Sequence, residues 1–174
     1  MTYCLGIINQ FGIVMAADSR TNAGVDYIST YKKLFDLSVP GERAIIICTS
    51  GSLSVSQGVM TRLNRDIQNQ EEINLHTLSN MYDIAQYIGN KSREIQELDR
   101  SWLEKDNIDF SCNFLLGGQI KGEAPQLYLI YPQGNFIQAT QEAPFLQIGD
   151  LSLSKILIQN PFQNASPYYV ISKQ

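Results

Sequence analysis

The 174-residue sequence has a single histidine, His76, and no G-x-S-x-G motif, so a serine hydrolase with a histidine base is not indicated. Its three cysteines form no CxxC pair, and one histidine with dispersed cysteines cannot supply a zinc site of ordinary spacing. A phosphate-binding loop of the Walker type is also missing. We therefore expect no metal and no other cofactor, and we expect His76 at the surface, at the start of a helix.

Long apolar runs and blocks of basic charge are absent as well. No apolar run approaches the ~20 residues of a membrane span, and no basic stretch followed by an apolar one marks a secretory leader. With 44% hydrophobic residues, 17% charged residues and a net charge of −4, the chain is typical of one globular domain. We expect a cytoplasmic protein with buried, unpaired cysteines and with no nucleic-acid or membrane partner.

Hydrophobic periodicity divides the chain into strands, two helices and further strands. The predicted strands cover residues 2–9, 13–18, 32–37, 44–49, 110–116, 127–131 and 136–140. Between the fourth and fifth strands, apolar residues recur about every 3.6 positions, from Val55 to Ile67 and again from Leu78 to Trp102. Gly89 interrupts the second of these stretches. The order predicts an α+β fold in which helices stack on a pair of sheets.

The second residue offers a catalytic device that needs no histidine. Methionine aminopeptidase removes Met1 before a small residue, and this removal would leave Thr2 with a hydroxyl and a free α-amine on one backbone unit. The amine, whose unperturbed pKa lies near ~8, can accept the hydroxyl proton at neutral pH. A buried lysine nearby would favour the neutral amine, and an aspartate would orient that lysine.

Several segments occur in the order and approximate spacing of a known family. They are Thr2, Gly6–Ile8, Gly12–Arg20, Lys32–Phe35, Ser50–Gly51 and Leu115–Gly118. On these segments, residues 1–150 resemble the proteasome β-type subunits, which are N-terminal nucleophile hydrolases. The opening Met1–Cys4 and the segment Gln147–Asp150 are most similar to the bacterial Anbu branch. The resemblance implies a four-layer αββα sandwich and a homo-oligomer, either ring-like or helical.

The family motif also implies roles for individual residues. Thr2 would be the nucleophile, and Asp18 would hold a lysine beside it. We assign Lys33 to this role rather than Lys32, because Lys33 directly precedes Leu34-Phe35 as the catalytic lysine of the family does. Neighbouring residues of a strand also face opposite sides, so only one of the two lysines can point at Thr2.

Three further positions follow the buried run 44–48, and one lies near residue 150. Backbone N–H groups are free to donate at the strand-to-helix junction Ser50-Gly51, so Gly51 N–H is the candidate oxyanion donor and Ser50 supports it. By the same resemblance, Thr49 lines a specificity pocket. Asp150 replaces the serine of a Gly-Ser-Gly that the family commonly carries; its carboxylate could bind the Thr2 amine and would also favour the charged form of that amine.

Residues 151–174 match nothing in the family. So abrupt a loss of similarity predicts an aberrant or truncated tail, as a frameshift near residue 151 would produce, and a sandwich that is incomplete at its C-terminus. The predicted function is a threonine peptidase that cleaves peptide or protein substrates. Two alternatives stay open: a self-assembling structural subunit with little or no peptidase activity, and an N-terminal nucleophile amidase that acts on a small amide.

Overall fold

The computed structural model describes residues 2–18, 31–105, 108–150 and 169–170. Within these ranges the elements are β1 (Tyr3–Asn9), β2 (Gly12–Ala17), β3 (Leu34–Asp36), β4 (Arg43–Gly51), α1 (Leu53–Gln68), α2 (Met81–Lys105), β5 (Cys112–Ile120), β6 (Gln126–Ile130), β7 (Phe136–Gln138), β8 (Phe145–Gly149) and β9 (Tyr169–Val170). Strands, two helices and further strands follow one another as predicted. The α+β class is therefore confirmed.

The strands form two antiparallel sheets with a shared core. The first sheet has the order β8-β1-β2-β9, and the second has the order β3-β4-β5-β6-β7. Apolar side chains from both sheets, among them Cys4, Cys48 and Leu115, are fully buried between them. β4 shows no polar alternation because its two faces are both covered: Ile46 and Cys48 face the first sheet, and Ile45 and Ile47 face the helices.

Helix α1 begins where the sequence changes from strand to helix. The Ser52 hydroxyl accepts a hydrogen bond from the Val55 N–H at 3.4 Å, which caps the first turn. Val55, Val59 and Leu63 are fully buried in the core cluster that α1 and α2 share with the second sheet. The predicted apolar stripe of α1 thus packs within the domain.

Helix α2 starts later than the periodicity predicts. Its first residue is Met81, because the Asn80 side chain accepts a hydrogen bond from the Asp83 N–H at 2.8 Å and so caps the helix there. Leu78, at which the predicted helical stretch begins, still packs against the core, but it does so from the loop before the helix. Leu78 therefore matched the helical spacing of apolar residues although it lies in a loop.

One other prediction for this region is wrong. His76 does not start a helix: it lies in the turn before α2, where it is half-buried, with its Nε2 3.0 Å from the Leu37 carbonyl oxygen. Trp102 lies in α2, as the periodicity predicts, and its side chain is 70% exposed.

Gly89 does not break α2, and its lack of a side chain serves packing. A Cβ atom on Gly89 would lie 2.1 Å from the Gly134 carbonyl oxygen, in the turn between β6 and β7. Glycine therefore lets the helix backbone approach this turn closely.

Replacing Gly89 with alanine is expected to lower the free energy of unfolding by about 1–3 kcal/mol, because the overlap with Gly134 must be relieved by a backbone shift. Helix propensity alone would predict a gain of about 1 kcal/mol. Asn90→Ala, at the neighbouring exposed position, is the matched control and should change stability little. Urea denaturation of both variants measures the difference, and a more stable Gly89→Ala protein would contradict the packing explanation.

The periodicity does not predict β8 and β9. β8 follows the bends at residues 141–143 and is only five residues long, and β9 has two residues, so neither shows a measurable alternation. Residues 151–168 and 171–174, most of the stretch for which we predicted an aberrant tail, lie outside the described residues. Neither helix in the described part of the chain is both long and apolar enough to cross a membrane.

Candidate active site

Asp18 is fixed beside the first residues of the chain by the hairpin β1–β2. The hairpin pairs Cys4 with Ala17, which places Asp18 opposite Tyr3. The Asp18 N–H donates to the Tyr3 carbonyl oxygen at 3.1 Å, and the Tyr3 N–H donates to Asp18 Oδ1 at 3.1 Å. The carboxylate therefore lies next to the backbone unit that follows Thr2.

Lys33 contacts the same carboxylate oxygen. Its Nζ lies 2.8 Å from Asp18 Oδ1, and its side chain is only 3% exposed. Because Lys33 Nζ and the Tyr3 N–H share this oxygen, the ammonium group cannot be farther from Tyr3 N than the sum of the two short distances. Lys32 differs: it is exposed, and its Nζ lies 5.6 Å from the centre of the Phe35 ring. The structure thus brings together Asp18 and the lysine that the sequence selected.

The backbone connects Lys33 to the strand that carries Gly51. The Thr49 N–H donates to the Lys33 carbonyl oxygen at 3.0 Å, so Thr49 points its N–H toward β3. Successive N–H groups of a strand point to opposite edges, and the Gly51 N–H therefore points toward the same side, beyond the end of β3 at Leu34. No backbone acceptor for it is found within the described ranges, and Gly51 is exposed. This N–H is available to a ligand.

Gly51 must be glycine at this junction. Its φ angle is +104°, and a Cβ atom would lie 2.3 Å from the Ser111 carbonyl oxygen. The same oxygen accepts the Ser52 N–H at 2.7 Å, which turns the chain from β4 into α1. The end of β4 at Gly51 is therefore exposed to solvent directly before the first residue of α1.

Thr49 and Ser50 lie on opposite faces of β4. Both are buried, with 3% and 5% of their surfaces exposed. Thr49 continues the odd-numbered residues of β4 and faces the helices, whereas Ser50 continues the even-numbered ones and faces the first sheet. Thr49 thus borders the helix side of the junction, as a pocket residue would, and Ser50 borders the side of the first sheet, in which Thr2 precedes β1.

The end of β8 holds the Thr2 backbone from the other side. The Asp150 N–H donates to the Thr2 carbonyl oxygen at 2.6 Å, and Gly149 pairs with Tyr3. Gly149 has a φ angle of +99°, and a Cβ atom there would lie 1.9 Å from the Thr2 carbonyl oxygen. Sequence reasoning singled out Asp150 for its carboxylate but missed the contacts that Gly149 and Tyr3 make through their backbones. The glycine at position 149 was the one sequence signal that could have indicated a close backbone contact here.

Gly149→Ala is expected to displace Thr2 and to slow its reaction with electrophiles by at least about tenfold, since misplacement of a reacting group by about 1 Å has effects of that size or larger. Gly122→Ala is the matched control: Gly122 has a similar φ angle of +91°, and an added Cβ meets nothing within 4 Å. Both variants carry left-handed backbone strain of about 1 kcal/mol. Equal labelling rates for the two variants would contradict the steric role of Gly149.

The three cysteines are not accessible nucleophiles, because each is fully buried. Cys4, Cys48 and Cys112 are free and buried, as the sequence predicted. A hydrogen bond with the Cys4 thiol and then burial raise the pKa of Cys48 well above its ordinary value, and burial raises that of Cys112. Both thiols are therefore neutral and unreactive at neutral pH. Across the described ranges, no three His, Cys, Asp or Glu residues are grouped so that they could hold a metal ion.

Comparisons with known proteins identify chains of similar sequence and fold. Residues 2–152 match the sequence model of the proteasome subunit family. Among solved structures, Anbu from Yersinia bercovieri, described as an ancestral beta-subunit, is 42% identical with a TM-score of 0.82, over 95% of this chain and 68% of that chain. The Anbu chain in a helical assembly from Pseudomonas aeruginosa is 41% identical with a TM-score of 0.84, over 95% of this chain and 68% of that chain.

Anbu from Hyphomicrobium sp. strain MC1 is 40% identical with a TM-score of 0.79, over 90% of this chain and 64% of that chain. The chain thus spans between 64% and 68% of the length of these three Anbu chains. A search of curated protein sequences finds no match.

Proposed function

The chain belongs to the proteasome subunit family, and on this premise we propose that it is a cytoplasmic threonine peptidase that uses Thr2 after removal of Met1. The observation that carries the proposal is the shared Asp18 oxygen, which binds both Lys33 Nζ and the N–H next to Thr2. An ion pair whose carboxylate also binds the N–H of Tyr3, the first residue of β1, supports a catalytic role for the preceding residue, Thr2. The alternative interpretation of Lys33 is an ordinary surface lysine without a catalytic role. A side chain that is only 3% exposed does not fit this alternative.

In the first half of the proposed reaction, Thr2 Oγ attacks the carbonyl carbon of the scissile peptide bond. The α-amine of Thr2 accepts the hydroxyl proton, and negative charge develops on the carbonyl oxygen. The Gly51 N–H donates a hydrogen bond to that oxygen, because it lies at the open edge of β4 without an acceptor among the described residues. Collapse of the tetrahedral intermediate breaks the C–N bond, and the α-ammonium returns the proton to the leaving amine.

In the second half, water hydrolyses the ester that links the acyl group to Thr2 Oγ. The neutral α-amine takes a proton from the water as it attacks, and that proton is then passed to Oγ as the acid product leaves. Lys33 serves both halves in the same way. Its positive charge disfavours a second positive charge on the nearby amine, so a larger fraction of the amine is free base at neutral pH.

A fluorescent peptide epoxyketone tests the proposal, because it forms a ring with both the hydroxyl and the amine of an N-terminal threonine. The full chain is expected to be labelled in a single site, and labelling should be blocked by prior incubation with an unlabelled epoxyketone. A folded protein that neither takes the label nor cleaves any member of a fluorogenic peptide library would overturn the peptidase proposal.

We further propose that the chain forms a homo-oligomer. Support comes from the Anbu chain of Pseudomonas aeruginosa, which was solved as a helical assembly and shares 41% of its residues with this chain. Sedimentation velocity across a range of protein concentrations should show species larger than the 19.6 kDa chain. A monomer that persists at the highest concentration would contradict self-association.

A further inference from the structure

The residue after the proposed nucleophile makes a side-chain contact that the peptidase mechanism does not use. The Tyr3 hydroxyl donates a hydrogen bond to Gln147 Oε1 at 2.9 Å, which joins β1 to β8. Tyr3 is 8% exposed, and Gln147 is half-buried. Burial raises the pKa of Tyr3, and the neighbouring Cys4 thiol adds to this rise. The phenol is therefore protonated at neutral pH and can donate to Gln147.

Strand register brings these two side chains together. β1 and β8 pair Tyr3 with Gly149, so Tyr3 and Gln147 are diagonal neighbours on one face of the first sheet. This is the outer face, because Cys4 and Ile148 alternate with them and point into the core between the sheets. The side-chain bond therefore joins the two strands from outside the core.

Thr2 precedes β1, and it is held by the backbone of the strands on both sides. From β8, the Asp150 N–H donates to the Thr2 carbonyl oxygen at 2.6 Å, and from β2, the Asp18 carboxylate accepts the Tyr3 N–H at 3.1 Å. Strand ends open more readily than strand centres, and β8 has only five residues and ends at Gly149. The side-chain bond two residues before that end favours pairing of β8 where it holds Thr2.

A tyrosine in the helix layer makes a similar bond far from Thr2. The half-buried Tyr87 donates from its hydroxyl to the Asp66 carboxylate, which joins α2 to α1, and the same hydroxyl lies 3.1 Å from the Ile73 carbonyl oxygen. Neither partner is among the residues that contact Thr2 in the described structure. Tyr87 therefore provides a comparison in which a tyrosine bond contributes to stability alone.

We propose that Tyr3 is a positioning residue for the proposed nucleophile, Thr2. Its hydroxyl, bonded to Gln147, keeps the end of β8 on β1 and so keeps the Asp150 N–H on the Thr2 carbonyl oxygen. This inference rests on the proposed peptidase activity. The phenol contacts no reacting atom, so it acts only through the placement of the Thr2 hydroxyl and amine. Loss of the bond slows the reaction of Thr2 and leaves substrate binding at Gly51 unchanged.

Tyr3→Phe tests the proposal, because it removes the hydroxyl and keeps the ring. The rate constant for labelling by a peptide epoxyketone should fall by about five- to tenfold, as the loss of one hydrogen bond implies. With a fluorogenic peptide, kcat should fall by a similar factor while KM stays within about twofold. Hydrogen exchange in residues 145–150 should become faster. Tyr87→Phe, the matched control, also loses a tyrosine bond and should keep the wild-type labelling rate.

The double variant Tyr3→Phe/Gln147→Leu separates positioning from the cost of an unpaired polar group. Tyr3→Phe leaves the Gln147 carboxamide oxygen without its donor, which lowers stability by itself. Replacing both groups removes this cost, so thermal stability should return toward the wild-type value. Labelling should stay slow, because the bond that joins β1 to β8 is still missing.

Three results would overturn the inference: a wild-type labelling rate in Tyr3→Phe, recovery of that rate in the double variant, or equal slowing in Tyr87→Phe. Gln147→Leu alone breaks the same bond from β8, and a wild-type rate in this variant would count equally against it. Failure of the peptidase proposal looks different, since the wild-type chain itself would then neither cleave peptides nor take the label. That result would overturn both proposals together.

Discussion

Thr2→Ala is expected to abolish covalent labelling of the chain by a peptide epoxyketone and to reduce peptide cleavage by at least about 10³-fold, the scale seen when a nucleophile is removed. The reason is that the variant keeps the α-amine and the Asp18–Lys33 pair but loses the hydroxyl that attacks. Circular dichroism should show unchanged secondary structure, because Thr2 precedes β1 and its contact with Asp150 is made by its backbone.

Thr61→Ala is the matched control for this experiment. Thr61 is exposed on α1, far along the helix from the Gly51 junction, so the same chemical change should leave labelling intact. Undiminished labelling of Thr2→Ala would show that another residue reacts, and the assignment of the nucleophile would then be wrong.

Lys33→Ala is expected to lower kcat/KM by about 10²–10³-fold, a size typical of the loss of one charged group from a catalytic site. Removal of the positive charge raises the pKa of the Thr2 amine, because the ammonium form is then no longer opposed by a neighbouring cation. The acid limb of the pH profile should therefore move to higher pH, and part of the lost activity should return in alkaline buffer. A purely structural role of Lys33 would lower activity without moving this limb.

Lys32→Ala separates the two neighbouring lysines. Lys32 is exposed and contacts only the Phe35 ring among the described aromatic contacts, so its removal should leave labelling by the epoxyketone nearly unchanged. Equal losses of labelling in Lys32→Ala and Lys33→Ala would contradict the assignment of Lys33 as the catalytic lysine. Lys33 forms an ion pair with Asp18, whereas Lys32 forms no ion pair with any of the described residues.

Sequence patterns predicted the order of the elements because each pattern has a physical period. β4 is buried on both faces, and α1 carries one apolar stripe, so both appear in the sequence as clear signals. Helix boundaries were less predictable. The Asn80 cap, rather than the hydrophobic period, decides where α2 begins, and a loop leucine before it continued the apparent period.

The sequence predicted the site residues that belong to motifs. It did not predict the residues that contact the site through backbone atoms alone. Asp18, Lys33 and Gly51 belong to recognisable motifs, and the structure places them around one end of the two sheets. Contacts of Tyr3 and Gly149 with this site depend on strand register, which pairs residues 146 positions apart in the chain. A single sequence contains no signal for such a pairing between distant strands.

The central claim is that Thr2 is the N-terminal residue and that its amine and hydroxyl act together. Intact mass spectrometry of the purified chain, before and after reaction with an epoxyketone, followed by mapping of the N-terminal peptide, measures this directly. The account predicts a chain that lacks Met1 and carries one adduct, attached to Thr2 through both nitrogen and oxygen. A chain that retains Met1, or an adduct on any other residue, would contradict it.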